Sequence, residues 1–381
     1  GRNTVGGVIS DIRMNGGLKA DYSNFKAKGL TIKATKAVGG ISGIISGQTL
    51  DGASVENVAI VCDNVHKGIV SGSLGSKSTI SNLSYSNVAG ATAVVGAIYD
   101  TANPVEARIG DVYYKTFVTD ALANVKAGET ITLQADVTLT GSVVLTNECT
   151  LDLGGFSISQ KQAQSAAYNM IQNQGTWTIK NGTLDYADIA ELSAAVNYVS
   201  NTIQNSGSLT LEDVKVVNNS GSAVAANGYP HPIDNSGKLV INSGEFTNNA
   251  DYSSMRIWCT TDTDTEVIIN GGTFNGSIDF QNVSSQPNKG TLTINGGTFN
   301  ADTYTNASVR LLGFGADVDE MNGYIKGGTF NGPLKLNKYV SGDFNSQVFF
   351  VSGGKFSVEP AGFYAEGYSA TKEGDYFVVS K

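Results

Sequence analysis

The chain has 381 residues, with 46 Gly, 6 Pro, 25 Lys plus Arg against 34 Asp plus Glu, and a formal charge of −9. An acidic balance without a basic block argues against nucleic acid and anionic membrane surfaces as partners. No apolar run reaches ~18 residues, so no membrane span is expected, while the length admits a large core or two domains.

Gly, Asn, Ser and Thr are abundant and helical periodicity is almost absent, which predicts many short strands joined by tight turns. The start, Gly1-Arg2-Asn3-Thr4, reads as a processed or trimmed end, so the lack of an export signal says nothing about destination. Cys62, Cys149 and Cys259 lie far apart, without CxxC spacing, and are expected to be buried apolar residues. His66 and His231 are the only histidines, too few to support a zinc site.

Residues 1–103 carry Val5-Gly6-Gly7-Val8-Ile9-Ser10, Val38-Gly39-Gly40-Ile41-Ser42-Gly43 and Gly68-Ile69-Val70-Ser71-Gly72. Strand-like runs follow them, such as Val55-Glu56-Asn57-Val58-Ala59-Ile60 and Ile80-Ser81-Asn82-Leu83-Ser84-Tyr85, with apolar residues at period two. We align those two runs, 25 residues apart, as successive copies. The region resembles the Gly-rich GLUG repeats of bacterial surface proteins, and that likeness implies a short β-solenoid of about three or four turns.

Thr101-Ala102-Asn103-Pro104 reads as a linker. Phe117, Ala121, Leu122 and Val125 then mark one face of a helix, with Gly128 as its stop. Ile131-Thr132-Leu133, Val137-Thr138-Leu139 and Cys149-Thr150-Leu151-Asp152-Leu153-Gly154-Gly155-Phe156 follow as strands. In order and spacing, Ala107–Ser159 resembles a module of surface proteins from gut anaerobes of the Bacteroidales type. There a short helix leads into a right-handed parallel β-helix of the pectate-lyase-like type. The likeness implies an all-β fold over 104–381, with the helix as one cap and a hairpin over Tyr368–Lys381 as the other.

From there one phrase recurs. It reads Ile269-Asn270-Gly271-Gly272-Thr273-Phe274, Ile294-Asn295-Gly296-Gly297-Thr298-Phe299 and Ile325-Lys326-Gly327-Gly328-Thr329-Phe330. Looser copies end at Phe246 and Phe356, and worn ones at Leu184 and Val216. The interval is 25–32 residues, the mark of a solenoid. The glycines predict a sharp corner with positive φ, the asparagines an amide ladder, and the phenylalanines an internal stack at about 4.8 Å per coil. A calcium β-roll would need Asp where Phe stands. By the same alternation Trp177 is core.

A further strand precedes each phrase. Aligning Ile233, Ile257, Ile278, Val309 and Leu334 as inward residues gives an outward column Gln172, Gln204, Asp234, Trp258, Asp279, Arg310, Lys335, with Arg256 beside Ser277 and Ser308. An indole between carboxylates, with Arg and Lys beyond, is what a carbohydrate groove needs. The candidate ligand contacts are therefore Asp234, Arg256, Trp258, Asp279, Arg310 and Lys335, weighed against a solvated sheet face. Asp234 and Asp279 would lie roughly 9–10 Å apart, near the upper end for inverting glycoside hydrolysis. Trp258 would stand between them, however, and the aspartate cluster and the Gly-His-Gly and Arg-x-Lys motifs of polygalacturonases are missing. Two acidic clusters, Asp262 with Asp264 and Glu266, and Asp317 with Asp319 and Glu320, fall in loops and read as solvated carboxylates; no Ser or Cys triad pattern accompanies either histidine.

These readings lead to a non-catalytic, extracellular or outer-membrane-surface scaffold, adhesin-like or glycan-binding, without cofactor or metal. Its partner would be a host or dietary glycan or a surface protein, and it would act as a monomer. The alternatives are a polysaccharide lyase or glycoside hydrolase on the same frame, and a passive stalk.

Overall fold

A computed structural model describes residues 4–13, 21–35, 37–62, 67–75, 78–91, 94–98, 105–110, 112–114, 116–160, 168–186, 200–219, 230–249, 252–259, 265–282, 289–313, 320–338 and 348–381. The fold is nearly all β, a parallel β-solenoid of about 9 turns with one short helix. The chain divides into two compact units, Gly1–Val125 with Glu129–Ala135, and Lys126–Gly128 with Asp136–Lys381.

In the first unit four small parallel sheets stack strands from successive coils. Ser42–Ser46 lies between Ile9–Arg13 and Ser71–Leu74, while Thr49–Asp51 pairs with Thr79–Ser81. Inward residues Ile45, Leu50, Val55, Val58 and Ile80 are buried in one apolar core. The expected alignment of the Val55 and Ile80 runs is wrong. Val55 pairs with Tyr85 and Ile80 with Leu50, so these two coils are 30 residues apart and the two runs occupy different strands of the coil. Each run has its own apolar alternation, so alternation alone did not tell which strand of the coil each one forms.

The helix is short. Phe117–Ala121 forms one widened turn, closed by Ala121 N donating to Thr116 O at 3.1 Å, and Leu122–Asn124 follows as an ordinary turn. Phe117, Ala121 and Val125 are buried, as expected, and Leu122 only half-buried. Thr116 N donates to the Asp120 carboxylate and Phe117 N to that of Glu106, so two otherwise orphaned amides at the helix start are satisfied.

In the second unit each full coil contributes one strand to an eight-stranded parallel sheet and two to a long sheet that closes the coil. The recurring phrase forms the corner between those two. Its second glycine has positive φ, from 103° to 111° at Gly272, Gly297, Gly328 and Gly354. Its first is needed for a different reason: a Cβ on Gly271, Gly296, Gly327 or Gly353 would stand 2.3–2.8 Å from a carbonyl oxygen of the preceding coil. Two adjacent glycines thus serve two separate steric demands.

The phenylalanines stack as predicted. Ring centroids along Phe246, Phe274, Phe299, Phe330 and Phe356 are 4.8, 5.0, 4.7 and 4.5 Å apart, with ring planes within 16°. All five are fully buried. Asn295 donates to Asn270 and Asn270 to Asn242, each at 2.9 Å, along the exposed corner. A second ladder runs Asn331 to Asn300 to Asn275 and ends where Tyr376 Oη donates to Asn331. Tyr376 belongs to the C-terminal hairpin, Ser369–Glu373 with Tyr376–Ser380, which pairs antiparallel with Lys355–Phe356 and covers the last strand edge. Trp177 is core, and Cys62, Cys149 and Cys259 are buried free thiols.

Candidate ligand-contact site

The eight-stranded sheet carries the candidate residues. Ile171, Ile203 and Ile233 align inward, as do Ile278, Val309 and Leu334, and Gln172, Gln204 and Asp234 align outward, as expected. The strand between them, Met255–Cys259, is shifted by two residues from the predicted register. Met255, not Ile257, stands level with Ile233 and Ile278. Arg256 therefore occupies the place assigned to Trp258, level with Asp234 on one side and Asp279 on the other. The outward column is Gln172, Gln204, Asp234, Arg256, Asp279, Arg310, Lys335. Trp258 lies one column over, level with Gln281 and Leu312 rather than between carboxylates.

Met-Arg-Ile-Trp-Cys has two equally apolar inward positions, so a slide of two residues preserves every facing. What distinguishes the registers is charge. The observed one alternates sign over four coils, and each carboxylate meets a guanidinium fork. Arg256 donates to both oxygens of Asp234, from Nε at 2.9 Å and Nη2 at 2.7 Å. Arg310 does the same to Asp279, at 2.6 and 2.8 Å. Asp279 also accepts from Ser277 Oγ at 3.0 Å, and Asp234 from Asn201 Nδ2 at 3.3 Å. Lys335, half-buried, donates to the Thr305 carbonyl at 3.0 Å.

The column is also less open than a solvated face. The Asp279 and Arg310 side chains are 1% and 3% exposed, and those of Asp234 and Arg256 only 9% and 13%. The Tyr252 ring lies 5.5 Å from the Arg310 guanidinium carbon and its hydroxyl accepts from Nη2 at 2.9 Å. Tyr304, more than half exposed, packs on Tyr252 at 5.2 Å, and His231 packs near it at 5.6 Å. His231 is fully buried, and burial, then the neighbouring Arg256 and Arg310, hold its imidazole well below the usual histidine range. Its Nδ1 shares a 2.8 Å hydrogen bond with Ser253 Oγ.

Sequence reasoning missed this aromatic cover, because Tyr252, Tyr304 and His231 sit in non-periodic segments between strands. It also missed an outward stripe on the long sheet. Val240, Ile268, Thr293, Tyr324 and Phe350 stand in register, and Tyr324 and Phe350 stack at 5.4 Å. Reading the residue before each phrase's Ile or Val would have found it.

The chemistry open to this site is narrow. Each carboxylate is held in a two-point bond to arginine, leaving neither placed to accept a proton from a substrate or to attack one. Arg256 packs over the half-buried Trp258 ring at 4.3 Å, so the indole is partly covered by the cation and partly open to solvent. Among the described residues no group of His, Cys, Asp and Glu could hold a metal ion. Asp262, Asp264, Asp317, Asp319 and His66 lie outside the described residues. Glu266 of the first acidic cluster pairs with Lys238 at 3.7 Å on the surface. Comparison with protein-family models, with curated proteins and with solved structures returned no match.

Proposed function

We propose that this chain is a non-catalytic β-helix scaffold, secreted or displayed on the cell surface, that is adhesin-like or glycan-binding. The observation that carries this reading is the pairing of Asp234 with Arg256 and Asp279 with Arg310. The two carboxylates at the spacing of a hydrolytic pair are committed to structure, which disfavours a lyase or hydrolase on the same frame. The likeness of residues 1–103 to GLUG repeats and of 104–381 to the pectate-lyase-like superhelix supports a surface setting, and the half-buried Trp258 with Arg256 over its ring supports sugar contact.

A glycan array run beside reducing-end and unsaturated-product assays tests the proposal. We expect retention of at least one polysaccharide without turnover, weakened about tenfold or more in Trp258→Ala, in line with ~1.4 kcal/mol for each decade. Turnover that disappears in Asp234→Ala or Asp279→Ala would overturn the non-catalytic reading. Retention unchanged in Trp258→Ala would move the contact elsewhere, with the Tyr324–Phe350 stripe next in line.

A further inference from the structure

The segment Tyr252–Ser254 closes over the ionic column, and one histidine fastens it. His231 is fully buried, its Nδ1 bonded to Ser253 Oγ at 2.8 Å and its ring packed near Tyr252. Asn248 Nδ2 ties both sides together, donating to Pro230 O at 2.7 Å and to Ser253 O at 2.9 Å. The other imidazole nitrogen, Nε2, is buried and has no hydrogen-bond partner among the described residues. Among the described residues, the charged groups acting on the ring are Arg256 and Arg310, both cations. Asp234 and Asp279, the anions of the same column, are turned onto those arginines; Tyr252 and Ser253 contribute a phenol and a hydroxyl. A hydrogen bond with the Ser253 backbone favours the protonated ring but is outweighed by burial and Arg256.

A proton on this imidazole would therefore place a third positive charge beside two others, with one N–H aimed at no acceptor. Relief comes by release of the segment that packs against the ring and bonds to it. We propose that His231 is an acid-sensitive latch: protonation frees Tyr252–Ser254 and uncovers the Asp279–Arg310 pair and the column around it.

The sign follows from linkage. The folded-state affinity of His231 for a proton lies below its value in the open chain, so the closed form binds fewer protons. Its contribution to closure is fully present above about pH 6.5 and is lost as pH falls below that value. With the open form titrating near 6.5, the opening equilibrium rises about tenfold by pH 5.5. Ordinary carboxylates titrate near 4, below this window.

Amide hydrogen exchange, corrected for the intrinsic pH dependence of the exchange chemistry, reads the opening directly. Between pH 7.5 and 5.5 the peptide spanning 252–259 is expected to lose about tenfold in protection, while Thr273–Asn275 at the phenylalanine stack stays unchanged. His231→Gln should abolish the response and His66→Gln should leave it intact. Uniform protection at both pH values in the wild-type chain overturns the proposal even if His231→Gln does not fold. A response that survives in folded His231→Gln overturns it equally.

Discussion

Two walls of the second unit solve the problem of stacking coils in opposite ways. At the Gly-Gly-Thr-Phe corner each coil repeats the last, so like packs on like: Phe on Phe, Asn on Asn. On the eight-stranded sheet the outward column changes residue at every coil from Asp234 onward, and opposite charges meet. Identity suits apolar rings and amides, which both donate and accept, but identical charges stacked ~4.8 Å apart would repel. From Asp234 to Arg310 the charged column therefore alternates, and alternation breaks the repeat; Lys335, a second cation beyond Arg310, turns to the Thr305 carbonyl instead. Departure from the repeat on this wall records a packing rule as much as a binding site.

The contrast can be broken at either wall. Phe299→Ala removes the middle of the aromatic stack and opens a cavity between two rings that cannot close without shifting both coils. We expect a loss of about 3–5 kcal/mol, read as a lower urea midpoint with unchanged slope. Asn270→Ala cuts the exposed amide ladder where water can replace both hydrogen bonds. It should cost about 1 kcal/mol or less in the same measurement. If Asn270→Ala cost as much as Phe299→Ala, the corner would owe its stability to amides rather than to buried rings.

The two walls also differed in how far they could be read from sequence. The corner was legible because Gly-Gly and Phe mark one position per coil, so register, ring stack and amide ladder followed together. The sheet was legible only up to parity. Ile257 was aligned with Ile233 and Ile278 because it is the closest chemical match, yet Met255 fills that layer equally well. A slip of two residues leaves hydrophobic alternation intact and exchanges Arg256 for Trp258. The charge pattern held the missing information: the chosen register left Asp234 without an arginine, whereas the alternative gave one to each carboxylate. In the first unit the failure was different: Ile80 was set against Val55 although the two runs belong to different strands of the coil, each with its own apolar alternation. Burial of the column was out of reach, since Tyr252, Tyr304 and His231 arrive from segments with no period to follow.

The account rests most heavily on the claim that Asp279 and Arg310 are a closed structural pair, and a double-mutant cycle tests it. Asp279→Leu, Arg310→Leu and the double variant are compared with wild type by urea unfolding. Each single change leaves an uncompensated buried charge and should cost about 3–5 kcal/mol. The double variant leaves none, so it should cost no more than either single variant, which corresponds to a coupling of at least about 3–5 kcal/mol. A coupling near zero, with both single variants almost as stable as wild type, would contradict the pairing and return Asp279 to the carboxylates free to do chemistry.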